Sequence, residues 1–225
     1  MLVTGGTGGL GTAVTSEFLA SGWRVVVPVV DRRKHDGTAR AERLELVEAD
    51  LFNQEAVLAA VGCAAAEGSL PLRAVVNLVG GYGGGHKVAD TPVEEFERQL
   101  RLNLRPTYLV TRAALPHLVR AGGAIVCVAA RAALRPLPGA AGYSTAKAAV
   151  LAFAQAVAAE YNRDGVRCNA VLPSVIDTPG NRAAQPDADH SKWVPPEQVA
   201  RVIHFLCSEE SAPTSGAAIP VYGRA

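Results

Sequence analysis

The sequence predicts an α/β protein built on a single doubly wound parallel sheet of Rossmann type with helices on both faces, and three observations predict it. Short Val/Ile-rich runs recur along the whole chain, helical stretches separate them, and several of the runs are apolar on both faces. A strand apolar at every position needs cover above and below. A strand–helix–strand alternation supplies that cover and makes neighbouring strands parallel. With 225 residues, 49% of them apolar and 19% charged, the chain can bury one substantial core, so residues 1–225 are read as a single domain.

The strand runs are 1–4, 24–30, 44–47, 74–79, 124–129, 167–172 and 217–221. The helical stretches between them are 9–21, 54–67, 93–121, 142–163 and 196–207. Pro106 falls inside the third and is expected to kink or split it, because proline has no N–H for the helix ladder. Loops are marked by the glycine-rich residues 80–86, by 135–139 with two prolines, and by 173–196. The last is long and polar and shows no regular pattern of its own, as expected of a lid at 174–195.

Bulk chemistry excludes several classes. Lys and Arg total 22 against 21 for Asp and Glu, so there is no basic surface for nucleic acid or anionic membrane. No apolar run is long enough to span a bilayer, and the first residues carry no secretion signal, which makes the cytoplasm the expected compartment. Cys63, Cys127, Cys168 and Cys207 lie far apart without CxxC spacing, so neither a zinc site nor a disulfide framework is expected. His86 and His117 have no acidic or cysteine partner at ligand spacing, and no metal is expected.

The first strand runs into Thr4-Gly5-Gly6-Thr7-Gly8-Gly9-Leu10-Gly11 and then a helix. A glycine string alone is weak evidence. Between a strand and a helix it reads as a phosphate cradle: Gly5 for the tight turn, Gly9 for close approach of a pyrophosphate, Gly11 for close packing of the helix. Gly5, Thr7, Gly9, Leu10 and Gly11 are therefore the cofactor-binding candidates here, and the cofactor is a nicotinamide dinucleotide. The residue that meets the adenosine ribose falls near Val29, where no acid stands; Asp31 comes two residues later, followed by Arg32, Arg33 and Lys34. A base near the 2′ position tolerates a phosphate, so the balance leans to NADP(H) over NAD(H), with Arg32 as the candidate contact.

Tyr143-Ser144-Thr145-Ala146-Lys147 opens a helix, which puts Tyr143 and Lys147 one turn apart on one face. A lysine ammonium near a phenol is expected to lower its pKa and suit it to acid–base work during hydride transfer.

Together these residues resemble the short-chain dehydrogenase/reductase family, over essentially the whole chain. The resemblance implies an adenine contact at Asp50 and Leu51. It aligns Asn77-Leu78-Val79-Gly80 with an altered Asn-Asn-Ala-Gly motif, making Asn77, Val79 and Gly80 cofactor neighbours. It also implies that Asn103 supports a proton relay, that Tyr143 and Lys147 are catalytic and contact the cofactor, and that Pro173, Ile176 and Thr178 lie along the nicotinamide. One position departs: the family's catalytic serine falls on Ala130, which cannot donate a hydrogen bond. The run after it resembles the dihydropteridine reductase branch, which lacks the same serine and acts on quinonoid rings. The implied activity is hydride transfer between nicotinamide and a small carbonyl, imine or quinonoid substrate. The alternative is a catalytically weak, NAD(P)-binding regulatory protein. Broad apolar faces on 93–121 and 142–163 and the family's habit both imply a homo-oligomer, a dimer or tetramer.

Overall fold

The computed structural model describes residues 1–35, 42–66 and 70–224. Seven parallel strands form one sheet: β1 (Leu2–Thr4), β2 (Val25–Val29), β3 (Leu44–Glu48), β4 (Ala74–Asn77), β5 (Ala124–Val128), β6 (Arg167–Pro173) and β7 (Ala218–Val221). Their order is β3-β2-β1-β4-β5-β6-β7, so the chain winds outward from β1 in one direction and then, from β4, in the other. The reversal between β1 and β4 opens a crevice at the strands' C-terminal ends, where ligands of such sheets bind.

The strand pattern explains the two-sided cover. Leu2, Val26, Val75, Ile125 and Leu172 point into one buried cluster, shared with helices α2 (Gln54–Ala65), α3 (Val93–Ala121) and α4 (Ala141–Tyr161). Their strand neighbours Val3, Val27, Val76, Val126 and Val171 point into the other, against α1 (Gly9–Ala20) and α6 (Pro196–Cys207). Phe18 of α1 is fully buried there, and its ring meets Trp23 edge-on at 5.4 Å. Burying a ring of that size contributes about 1.5–3 kcal/mol. Cys127, Cys168 and Cys207 are buried free thiols that serve as small apolar side chains, and Cys63 is also free.

Three expectations change. α3 runs unbroken through Pro106 and Pro116. Its inward residues Asn103, Thr107, Val110 and Ala114 are buried around the proline, and that packing outweighs one missing ladder bond. Residues 173–196 are not structureless: a short helix α5 (Pro179–Ala184), capped by the Thr178 side chain, and a 3₁₀ turn (His190–Lys192) lie within them. Ile176 also pairs with Val194 in parallel fashion. Finally, the second helix ends at Ala65; Glu67, expected as its last residue, lies outside the described residues. No described helix is long and apolar enough to cross a membrane.

Candidate functional site

The glycine turn after β1 is shaped by backbone contacts. Gly5 sits at φ +65°, a conformation that side-chain-bearing residues rarely take, and the turn closes when the Gly8 N–H donates to the Gly5 carbonyl at 3.0 Å. A Cβ on Gly11 would overlap the Gly5 carbonyl oxygen and the backbone of Gly6, so only glycine lets α1 start so close to the turn. Gly8 gives α1 no side-chain cap. The first-turn amides, those of Leu10 and Gly11 among them, form an uncapped positive helix end suited to a pyrophosphate. The cradle thus fits a dinucleotide by its own geometry. Gly9 has a partner that the sequence did not reveal: a Cβ there would come within 2.8 Å of the Thr178 side chain. Thr178 is thereby seated on the glycine turn at Gly9.

At the ribose end, β2 stops at the buried Val29 and the next residue, Val30, is 77% exposed. Asp31 turns back and accepts from the backbone N–H and the side chain of Arg33, at 3.1 and 3.3 Å. Arg32 opens an exposed 3₁₀ turn (Arg32–His35). Asp50 stands exposed just past β3 and accepts from the Phe52 N–H at 2.9 Å, while Leu51 is buried in the core.

The ends of β4 and β5 and the starts of α3 and α4 meet at the centre. Thr4 Oγ1 accepts from the N–H groups of Leu78 and Val79, at 3.0 and 3.4 Å, which ties the glycine turn to the strand end beside it. Asn77 is buried; its amide donates to Thr111 Oγ1 at 3.1 Å, and its Oδ1 has no partner among the described residues. Asn103, fully buried, clasps Gly81 from both sides: its Oδ1 accepts from the Gly81 N–H and its Nδ2 donates to the Gly81 carbonyl, each at 3.1 Å. A Cβ on Gly80 would lie 2.5 Å from Asn103 Oδ1 and 3.1 Å from Lys147 Nζ, so this glycine lets the amide and the ammonium converge. Lys147 is buried and donates to the Val128 carbonyl at 2.9 Å. Ala130, two residues beyond Val128, is buried and offers no hydroxyl.

The electrostatics correct one expectation. Burial, with the neighbouring Tyr82 hydroxyl adding to it, pushes Tyr143 up to about 12. Lys147 does not lower it. The ammonium is engaged with Val128, 5.9 Å from the centre of the tyrosine ring, and burial pulls its own value down to about 8. In so dry a pocket, loss of water outweighs the attraction between phenolate and ammonium. Tyr143 therefore stays a neutral phenol, poised to give a proton.

Past β6, Pro173 is buried at the strand end. The Ile176 carbonyl accepts from Thr178 N–H and from Asn181 Nδ2, and Thr178 Oγ1 accepts from the Asn181 N–H. Both groups are thus locked in place before any ligand arrives. The paired Arg182 guanidinium holds the Asp177 carboxyl below its ordinary value. Trp193 is buried against the body with His190 beside it, 4.3 Å between ring centres. His86 does not border Tyr143: it lines a cleft of about 390 Å³ with Glu95, Gln99 and Gly139, and neither Tyr143 nor Lys147 lines that cleft. Among the described residues no group of acidic, histidine or cysteine side chains could hold a metal.

Two residues escaped the sequence reading. Gln99 is buried beneath the site: Nε2 donates to Glu95 and Oε1 accepts from Asn103, at 3.0 and 3.4 Å. The bare backbones of Gly83 and Gly142 pack on it. The spacing Glu95, Gln99, Asn103 on one helical face was the available signal. Tyr82 meets Tyr143 edge-on at 5.1 Å, and its isolation within a run of glycines was the only hint.

Residues 1–189 match the family model described as short chain dehydrogenase. The chain is 34% identical to 2-(R)-hydroxypropyl-CoM dehydrogenase of Xanthobacter autotrophicus, covering 99% of this chain and 96% of that one. A short-chain type dehydrogenase/reductase from Mycobacterium ulcerans superimposes with a TM-score of 0.92 at 26% identity, over 99% and 88% of the two chains. The 3-ketoacyl-(acyl-carrier-protein) reductase of Brucella melitensis, solved with NADH, gives 0.88 at 27% identity, over 99% and 96%.

Proposed function

The chain belongs to the short-chain dehydrogenase family of oxidoreductases, and from that premise we propose that it moves a hydride between a nicotinamide dinucleotide and a small carbonyl, imine or quinonoid substrate. The observation that carries the reading is the neutral, half-buried Tyr143 one helical turn from a buried Lys147, with Asn103 and Gly80 closing around the lysine. The bound nicotinamide would supply or accept the hydride. Gly5, Thr7, Gly9, Leu10 and Gly11 would hold the pyrophosphate; Asp50, Leu51, Asn77, Val79 and Gly80 would flank the adenosine and ribose groups. Pro173, Ile176 and Thr178 would lie along the carboxamide.

In the reducing direction Tyr143 gives its proton to the substrate oxygen or nitrogen as the C=O or C=N electron pair moves onto that atom. Lys147 anchors the ribose and, by titrating near neutrality, returns a proton to the tyrosine. Asn103 keeps the Gly81 turn and the lysine pocket in register. Residues 174–195 serve as the lid of a single catalytic unit spanning 1–225. The regulatory alternative is the weaker reading, because the buried Asn103 and Lys147 converge on Gly80 one helical turn from Tyr143, and Ala130 removes only one donor.

NADP(H) is the proposed preference over NAD(H). The exposed Val30 and Arg32 leave room and a cation where an acid would repel a 2′-phosphate. Fluorescence titration with NADPH and NADH, followed by turnover of carbonyl, imine and quinonoid panels, tests both claims. Tighter NADH binding would reverse the preference, and binding without turnover of any panel would favour the regulatory reading. The exposed Tyr108 beside Phe153 puts an apolar patch on α3 and α4, and we place a homodimer or homotetramer interface there. Light scattering at a monomer mass would remove it. The four free thiols fit a reducing compartment, the cytoplasm, which cell fractionation checks.

A further inference from the structure

We infer that Tyr82 forms a wall of the substrate pocket and that the substrate carries a flat, unsaturated ring beside its reacting carbon. The inference rests on the hydride-transfer reading and names the substrate class for the same site.

Tyr82 combines two properties that side-chain packing alone does not explain. Its ring lies 5.1 Å from that of Tyr143, at 68° between planes, yet the residue is 64% exposed. An aromatic face therefore stands uncovered next to the proton donor. The position is also held. Asn103 clasps Gly81 on one side, and on the other the Gly85 N–H donates to the Gly139 carbonyl at 2.8 Å. A Cβ on Gly84 would come within 2.9 Å of Tyr82 Oη, so that glycine makes room for the tyrosine hydroxyl. A loop built of glycines and pinned at both ends presents one ring at one place.

The rest of the mouth has the same chemistry. Position 130 is alanine, and the following loop exposes Leu134 and Leu137, with the Leu137 N–H donating to Ser144 Oγ at 3.3 Å on the first turn of α4. Arg131 lies over the Tyr222 ring at 5.8 Å, and Arg182 closes on Asp177. These cations are engaged within the chain. Tyr82 offers an aromatic face, with Leu134 and Leu137 as apolar surface and Arg135 exposed between them, a lining suited to a ring through edge or face contacts.

The test compares 1-tetralone, a flat aryl ketone, with 2-decanone, a linear ketone of equal carbon count, using the wild type, Tyr82→Phe and Tyr82→Ala with reduced cofactor. KM and kcat are measured, together with equilibrium binding of each ketone by saturation-transfer NMR. Tyr82→Phe should stay within about threefold of wild type on both. Tyr82→Ala should weaken 1-tetralone binding and raise its KM about tenfold, while 2-decanone changes less than about threefold. Equal effects on both ketones, or none on either, would overturn the inference, as would wild-type binding that favours 2-decanone. If neither ketone is turned over, the hydride-transfer reading suffers, and the binding comparison still decides the role of Tyr82.

Discussion

At the glycine turn, the atoms that shape the site are nearly all backbone between Thr4 and Gly11; around Tyr143 they are side chains drawn from α3, α4 and the loop after β4. The turn depends on what is absent, since Gly11 works because no Cβ meets the Gly5 carbonyl. The tyrosine end depends on what is present: Gln99, Asn103 and Lys147 are buried polar groups, the last two satisfied by partners distant in the chain and Gln99 by partners one turn away on its own helix. A site of the first kind should fail by steric overlap, and one of the second kind by loss of position and of proton affinity.

The largest effect expected at the tyrosine end is that of Tyr143→Phe, which removes the proton while keeping the ring. Turnover should fall by about 10³-fold with cofactor affinity within about twofold of wild type. Retained activity would show that chemistry does not pass through this phenol. At the turn, Gly11→Ala should weaken cofactor binding by more than about tenfold and cost on the order of 1–3 kcal/mol of stability, since the overlap is with backbone. A variant with normal NADPH titration and normal melting would break the contrast between the two ends.

The buried lysine gives a pH signature that the glycine turn cannot. Lys147 is pulled from 10.5 to about 8, so between those values the unfolded chain binds the proton that the folded chain has released. Its contribution is complete above the unfolded value and is lost as pH falls toward about 8, so stability from this group rises with pH over that window. The size is on the order of 3 kcal/mol. Tyr143, raised from 10.0 to about 12, acts in the opposite sense above pH 10. Urea unfolding from about pH 7 to pH 10 should show a rise in wild type that Lys147→Met flattens; parallel curves would clear the lysine.

Smaller changes sharpen the comparison. Gln99→Leu leaves the Glu95 and Asn103 side chains each short of one bond and should cost about 1–2 kcal/mol in melting. It should also lower kcat about tenfold with cofactor affinity intact, because the Gly81–Gly83 turn and the Gly142 backbone share that support. A change in stability without a change in kcat would make Gln99 structural only. Ala130→Ser should alter turnover of a ring-bearing ketone by less than about threefold. A large gain on simple linear ketones would instead identify a site that has lost a serine it needs.

The strand and helix order, the two-sided apolar strands and the glycine turn were legible in the chain because each is written in short-range pattern: period-2 alternation, helical spacing, glycines where Cβ has no room. The proximity of Tyr143 and Lys147 was legible for the same reason, one helical turn. The continuity of α3 through Pro106 was not, because burial of Asn103, Thr107 and Val110 against other elements outweighs the local preference. Nor was the regular structure of residues 179–184, whose cap is Thr178 and whose seat is Gly9, far away in sequence.

By itself, then, the sequence determined the winding of the sheet, the place of the glycine turn between β1 and α1, and the one-turn spacing of Tyr143 and Lys147. The tertiary structure alone decided that the phenol is raised and the amine lowered, that Gln99 packs under Gly83 and Gly142, and that the exposed Tyr82 meets Tyr143 edge-on. Those properties come from desolvation and from contacts between residues tens of positions apart, which no local pattern records.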